Sequence, residues 1–345
     1  MVFALSYNVM CRTVFGDRHG GGAGVYHGRR NWFREVMAET QAIVAEFCAA
    51  DFFPGWDWID STTGHRARLE RNFVVVNGIY ERVIEEHLRR GKEEDDGDRR
   101  EEDLVDVLLR SHGEAGDGGF PASMDYVKGI MADMLFGGTD TTSATIIWTM
   151  TELMKNPRVM AKLKQELEDV IGNKSKVEET DLEQLQYLKL VIKEALRLHP
   201  PSPLLIPRET LEPCKIEGYD IPAKTLVFIN ASAIARDPKT WKNHNEFCPE
   251  RFDLVGVDSK GQDCNYVPFG VGRRSCPGAD FGAVVMELVL ANLLYCFAWC
   301  LPDGMMPRDV DMEGARGLTM HKKVPLCLIA KSKSLCNYSL HPSNF

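Results

Sequence analysis

Apolar residues recur at helical spacing along most of the chain. Phe33, Val36 and Met37 within 32–50, and Val74, Val75, Ile79, Val83 and Ile84 within 66–90, predict two amphipathic helices. The aromatic run between them, DFFPGWDWIDSTTG at 51–64, reads as a loop. Residues 89–121 form a charged and then Gly-rich region: a solvated linker at 89–103, a short helix at Asp103–Arg110, and a loop after it. One long apolar pattern then runs from Met124 to about Lys155 and stops at Asn156-Pro157. A second helix is expected from Pro157 to Ile171, before Gly172, and a third over 182–200, stopped by Pro200 and Pro201. The period then changes. PLLIPRET and CKIEGYDIPAKTLVFINAS predict short strands of one small sheet. A buried helix from Ala279 to about Ala298, a strand-like KKVPLCLIA and a polar tail close the chain. The expectation is a single, mainly α body with a small β portion and neither repeats nor a domain break.

Composition narrows this only slightly. The 345 residues are 44% hydrophobic and 26% charged, ordinary for a globular chain with a sizeable core. A net charge of -9 argues against nucleic acid as a partner. Ten cysteines are scattered without a CxxC pair or zinc-type spacing, so most read as reduced and buried. The N-terminal MVFALSYNVMCRTVFG is too short and mixed for a signal peptide or a span.

Four segments carry chemistry. In PFGVGRRSCPG, residues 268–278, three glycines allow tight turns and close approach of a flat ligand. Cys276 there precedes a predicted helix, whose amides and dipole favour a negative sulfur, and Arg273 and Arg274 add positive charge. No GxxxxGK[ST] supports a phosphate cradle instead. FGGTDTTS, residues 136–143, places poor helix formers inside the long apolar helix, at about 1 kcal/mol for each glycine. It reads equally as a bend able to hold oxygen and a proton-relaying water, or as a kink filled by side chains bonding back. Glu194 and Arg197 form an i,i+3 pair; the PERF turn offers Arg251, which, if buried, would complete a network with them.

The order of these segments, GGTDTT, then ExxR, then PERF, then FGxGxRxCxG, resembles the signature series of the cytochrome P450 superfamily. LRLHPPSPLLIPRE (196–209), AIARDPKTW (233–241) and FGAVVMELVLANLLYCFAW (281–299) extend the likeness to the plant microsomal type, nearest its seventy-one family. The resemblance implies the P450 fold, starting near the family's fifth major helix, helix E, without the anchor and early helices. It implies Cys276 as axial ligand to the iron of haem b, Arg274 and Arg208 at the propionates, and Phe269, Gly270 and Gly278 around the cofactor. Asp140 and Thr141 resemble the acid–alcohol pair that delivers protons to O2; Glu194, Arg197 and Arg251 resemble the structural triad. Asp133, Gly137, Leu204, Leu205, Ile206, Leu318 and Thr319 fall where the family lines its substrate pocket. The implied partners are NADPH–cytochrome P450 reductase, relaying electrons from NADPH, and a lipophilic plant metabolite. The implied location is the cytosolic face of the endoplasmic reticulum. A catalytically silent chain with weak or no haem binding is the alternative.

Overall fold

A computed structural model describes residues 1–16, 30–53, 55–93, 102–113, 123–255, 264–315 and 317–332. The chain divides into two compact units, Met1–Asp140 and Thr141–Phe345.

Every element among the described residues of unit 1 is a helix: α1 (Val2–Phe15), α2 (Arg30–Ala45), α3 (Ala49–Phe52), α4 (Asp57–Thr62), α5 (His65–Glu93), α6 (Leu104–Gly113) and the start of α7 (Met124–Lys155). Its core draws Met10, Val14 and Phe15 from α1, Met37 from α2, and Ile79, Val83 and Ile84 from α5. Val105 of α6 and the i,i+4 series Val127, Met131 and Leu135 of α7 complete it. The aromatic run expected as a loop contains the short helices α3 and α4. Asp60, at the middle of α4, accepts from the amides of Ala49 and Ala50 at 2.8 and 2.9 Å and so caps α3 from eleven residues away. These two amides hold its carboxyl below the usual carboxylate range. The expected linker and Gly-rich loop fall largely outside the described residues, as does the polar tail beyond Ser332.

Helix α7 crosses FGGTDTTS without interruption, so the expected bend is not a break in the helix. Immediately beyond, the hydroxyls of Thr145, Thr149 and Thr151 each bond to the carbonyl four residues back.

Unit 2 continues with α8 (Pro157–Ile171), α9 (Gln186–Leu198), α10 (Ala231–Ile234), α11 (Arg251–Val255) and α12 (Ala279–Cys296). The expected helix over 182–200 begins later, because Glu179–Gln184 forms a 3-10 turn closed by a reciprocal cap between Glu178 and Asp181. Instead of one sheet there are three two-stranded antiparallel ribbons among the described residues. They pair β1 (Arg208–Glu209) with β4 (Leu226–Val227), β2 (Cys214–Ile216) with β3 (Tyr219–Ile221), and β5 (Phe297–Cys300) with β6 (Ile329–Ser332). KKVPLCLIA makes an isolated bridge from Lys322 to Gly314 and joins a ribbon only from Ile329 onward; Pro325 between them has no amide to give a ladder. Helix α12 is less buried than expected. Its mean hydropathy is 1.6, long and apolar enough to cross a membrane by that measure alone, yet only 33% of it is buried.

Candidate haem-binding site

A buried, densely hydrogen-bonded polar cluster of unit 2 surrounds Glu194. It lies on α9, three residues before Arg197, so both side chains leave the same face of one helix. Glu194 Oε2 accepts from Arg197 Nε at 2.8 Å, and Oε1 accepts from Arg197 Nη2, Arg251 Nε and the Cys248 amide, each at 2.9 Å. The remaining guanidinium donors reach main-chain oxygens. Arg197 donates to Ala235, His244 and Glu246, and Arg251 to Lys242, Asn243 and Glu246. All three side chains are buried, and Arg197 also lies 5.3 Å from the Trp241 ring. One carboxylate between two guanidiniums leaves a net positive buried charge, which only dense hydrogen bonding makes tolerable. Every chain segment from Ala235 to Arg251 is thereby pinned to α9. The carbonyl partners could not be read from sequence, since a main-chain oxygen carries no residue-type signal.

The cysteine loop lies between Val267 and Ala279. Gly270 and Gly272 have φ of 71° and 78°, values that favour glycine. The Gly270 amide donates to Val267 O and the Ser275 amide to Gly272 O, around a 3-10 turn at Gly272–Arg274. The Cys276 amide then donates 2.8 Å to Phe269 O and closes the loop. Its thiol is exposed, and a methyl group on Gly278 would stand 4.0 Å from the sulfur. Three residues later, at Ala279, α12 starts.

Arg208, on β1, reaches this loop. Its Nη2 donates to Arg274 O at 3.1 Å, while its Nε is buried without a hydrogen-bond partner. Among the described residues neither Arg208 nor Arg274 forms an ion pair. The exposed Cys276, the Arg208 contact at Arg274 O and the start of the incompletely covered α12 thus fall on one loop of unit 2.

The other expected residues separate by environment. Leu205 is buried with Ala231 and Val267 and holds φ at 53°, unusual for leucine, whereas its neighbours Leu204 and Ile206 are exposed. A methyl group on Gly270 would touch Leu205 Cδ1 at 3.8 Å, so Leu205 packs on the cysteine loop. Thr319 is buried and Leu318 half-buried. Asp133 and Gly137 lie exposed one turn apart on α7, and Asp140 is buried beside half-buried Thr141.

Sequence reasoning did not single out the buried pair of His199 and Glu152, whose Nε2 and Oε1 lie 2.7 Å apart, or the Trp148 ring stacked on His199 at 4.1 Å. The pairs lie about fifty residues apart, beyond any local pattern.

The sequence profile described as Cytochrome P450 matches residues 1–328. Strychnine-11-hydroxylase from Strychnos nux-vomica is 49% identical over 332 residues, covering 96% of this chain and 64% of that protein. Cytochrome P450 71A9 from Glycine max is 46% identical over 330 residues, covering 96% of this chain and 65% of that one. Phenylacetaldehyde oxime monooxygenase CYP71AN24 from Prunus mume is 43% identical over 331 residues, 95% of this chain and 61% of the relative. The chain thus spans slightly less than two thirds of the relatives it matches. In fold it is similar to a zebra fish cytochrome P450 solved with abiraterone, at a TM-score of 0.74 and 23% identity over 96% of this chain and 70% of that one. The chain belongs to the cytochrome P450 family.

Proposed function

We propose that the chain forms the haem-thiolate part of a monooxygenase that hydroxylates a lipophilic small molecule, residues 1–345 acting as one catalytic domain. The observation that carries this reading is the cysteine loop: Cys276 is exposed, Arg208 reaches the loop at Arg274 O, and neither Arg208 nor Arg274 forms an ion pair among the described residues. The residues present fit iron protoporphyrin. Cys276 would give the axial sulfur, Arg208 and Arg274 would meet the propionates, and Phe269, Gly270 and Gly278 would stand around the cofactor. The apolar face that α12 leaves uncovered suits a flat, apolar ring.

When bound, the haem, with O2 and electrons from NADPH through NADPH–cytochrome P450 reductase, supplies the oxygen activation and the hydroxylation of a C–H bond. The chain's residues prepare that chemistry. The bond from the Cys276 amide to Phe269 O fixes the loop backbone, and the start of α12 favours a negative sulfur by its dipole and unpaired amides. Asp140 and Thr141, consecutive on α7, are a carboxyl and a hydroxyl able to hold and pass protons.

The family resemblance assigns Asp133, Gly137, Leu204, Leu205, Ile206, Leu318 and Thr319 to substrate. Their largely apolar side chains favour a lipophilic ligand. The names of the relatives point to alkaloids and aromatic aldoximes as the classes to screen first. Work at the cytosolic face of the endoplasmic reticulum follows from the same reading.

A carbon monoxide difference spectrum of the reduced protein tests the proposal. The red-shifted Soret band of a thiolate-ligated haem is expected, and Cys276→Ser should abolish it. A folded wild-type chain without that band would sink the reading and favour the catalytically silent chain.

A further inference from the structure

Unit 1 holds one cluster of metal-ligand chemistry that the proposed oxygenase chemistry does not use. His87 lies on α5, Asp103 immediately precedes α6, and Asp106 sits in its first turn. One ligand atom from each lies within 4.8 Å of the other two. His87 and Asp103 are buried, while Asp106 is half-buried and gives the cluster a side toward solvent.

The hydrogen-bond directions make this more than proximity. His87 Nδ1 stands 2.7 Å from Val83 O, and a carbonyl only accepts, so Nδ1 carries the proton. In the neutral ring Nε2 is then a lone pair, and it faces Asp103 Oδ2 at 2.9 Å. Two acceptors at that distance require a shared cation, either a proton or a metal ion. A ring whose far N–H is anchored on a carbonyl has the arrangement typical of a ligating imidazole. The carboxylates are held in place as well. The Asp106 amide donates to Asp103 Oδ1 and the Asp103 amide to Asp106 Oδ2, a reciprocal cap that orients both groups at the helix start. It is the other oxygen of Asp103 that meets His87. One imidazole nitrogen with two carboxylates is a mixed nitrogen and oxygen donor set, which suits zinc better than calcium or magnesium.

We propose that His87, Asp103 and Asp106 bind one divalent transition-metal ion of the zinc class, with solvent completing the coordination. The ion clips the C-terminal half of α5 to the start of α6 and stabilises unit 1, because the folded state alone assembles the three ligands. This site is independent of the haem reading.

The test uses the full chain, treated with chelator and titrated with Co2+ and then Zn2+. One equivalent should bind beyond any haem iron, with d–d absorption of nitrogen and oxygen ligation and no thiolate-to-cobalt charge-transfer band. Zn2+ should raise the melting temperature of the chelated protein. His87→Gln and Asp106→Asn should each weaken binding at least ~10-fold, the lower range seen even for partners behind the ligands. Asp106→Asn keeps an acceptor for the Asp103 amide, so it tests binding without removing the cap. A wild-type chain that takes up no cobalt, a spectrum showing thiolate ligation, or wild-type affinity in both variants would each overturn the proposal.

Discussion

At the scale of single residues, Glu194 concentrates the largest cost. It is the sole carboxylate between Arg197 and Arg251, and all of these side chains are buried. Glu194→Ala would leave two guanidiniums without a counter-charge, and the loss of one partner of a buried pair costs about 3–5 kcal/mol. Urea unfolding of the variant should show that loss, with Arg251→Lys falling between it and the wild type. The pair at Glu194 and Arg197, and the candidate Arg251, were legible because the residue types and the i,i+3 spacing carry the signal. Whether Arg251 was buried was not, since that depends on the 235–251 segment folding back onto α9. His199 makes a second, pH-dependent case. Burial pulls its pKa below the ordinary 6.5, and the bond to Glu152 only partly opposes this. Below pH 6.5 the unfolded chain therefore takes up a proton that the folded chain resists, so this contribution to stability is full above 6.5 and is lost as pH falls through the lower folded pKa. His199→Gln, which can still donate to Glu152, should flatten the stability profile just below pH 6.5.

At the scale of elements, legibility followed punctuation. Helix α8 was expected at its observed bounds because Pro157 starts it and Gly172, with φ of 61°, ends it. The start of α9 was missed because Leu182 and Leu185 continue the apolar period through a 3-10 turn, and periodicity cannot tell the two apart. Helices α3 and α4 were missed because the cap supplied by Asp60 comes from another element. The adjacent glycines of α7 test how closely α1 packs. A methyl group on Gly138 would lie 2.5 Å from Met10 Sδ, whereas on Gly137 it would meet nothing within 4 Å. Gly137→Ala should raise stability by up to about 1 kcal/mol, the helix preference of alanine over glycine. Gly138→Ala gains the same preference but must displace the flexible end of the buried Met10, which offsets part or all of that gain. Thermal unfolding should rank Gly137→Ala above Gly138→Ala. In a double-mutant cycle, Met10→Ala should cost less in the Gly138→Ala background than alone.

At the scale of the whole molecule, the nine described cysteines report which surfaces remain open. Cys11 and Cys296 are buried, Cys48 and Cys248 half-buried, and Cys214, Cys264, Cys276, Cys300 and Cys327 exposed; none of the nine is in a disulfide. Burial pushes the Cys11 thiol up to about 12, so it should resist alkylation in the native chain on grounds of both access and protonation. Ten scattered cysteines were expected to be mostly buried, yet five of the nine described are exposed, because exposure is decided by packing between distant segments that composition does not carry. Among the exposed five, Cys276 alone sits in the loop that Arg208 contacts at Arg274 O and that leads into the half-covered α12. A flat dianionic ring seated there would take the thiolate and shield it, while leaving the other exposed cysteines in solvent. Native alkylation followed by peptide mass spectrometry should therefore label Cys214, Cys264, Cys276, Cys300 and Cys327 first in the haem-free chain. Loading with haemin should remove Cys276 from that set and leave the labelling of Cys214 and Cys300 on their ribbons unchanged. Equal labelling of Cys276 with and without haemin would separate the thiol from the cofactor, and the series of motifs ending at this loop would then specify a fold without its usual ligand.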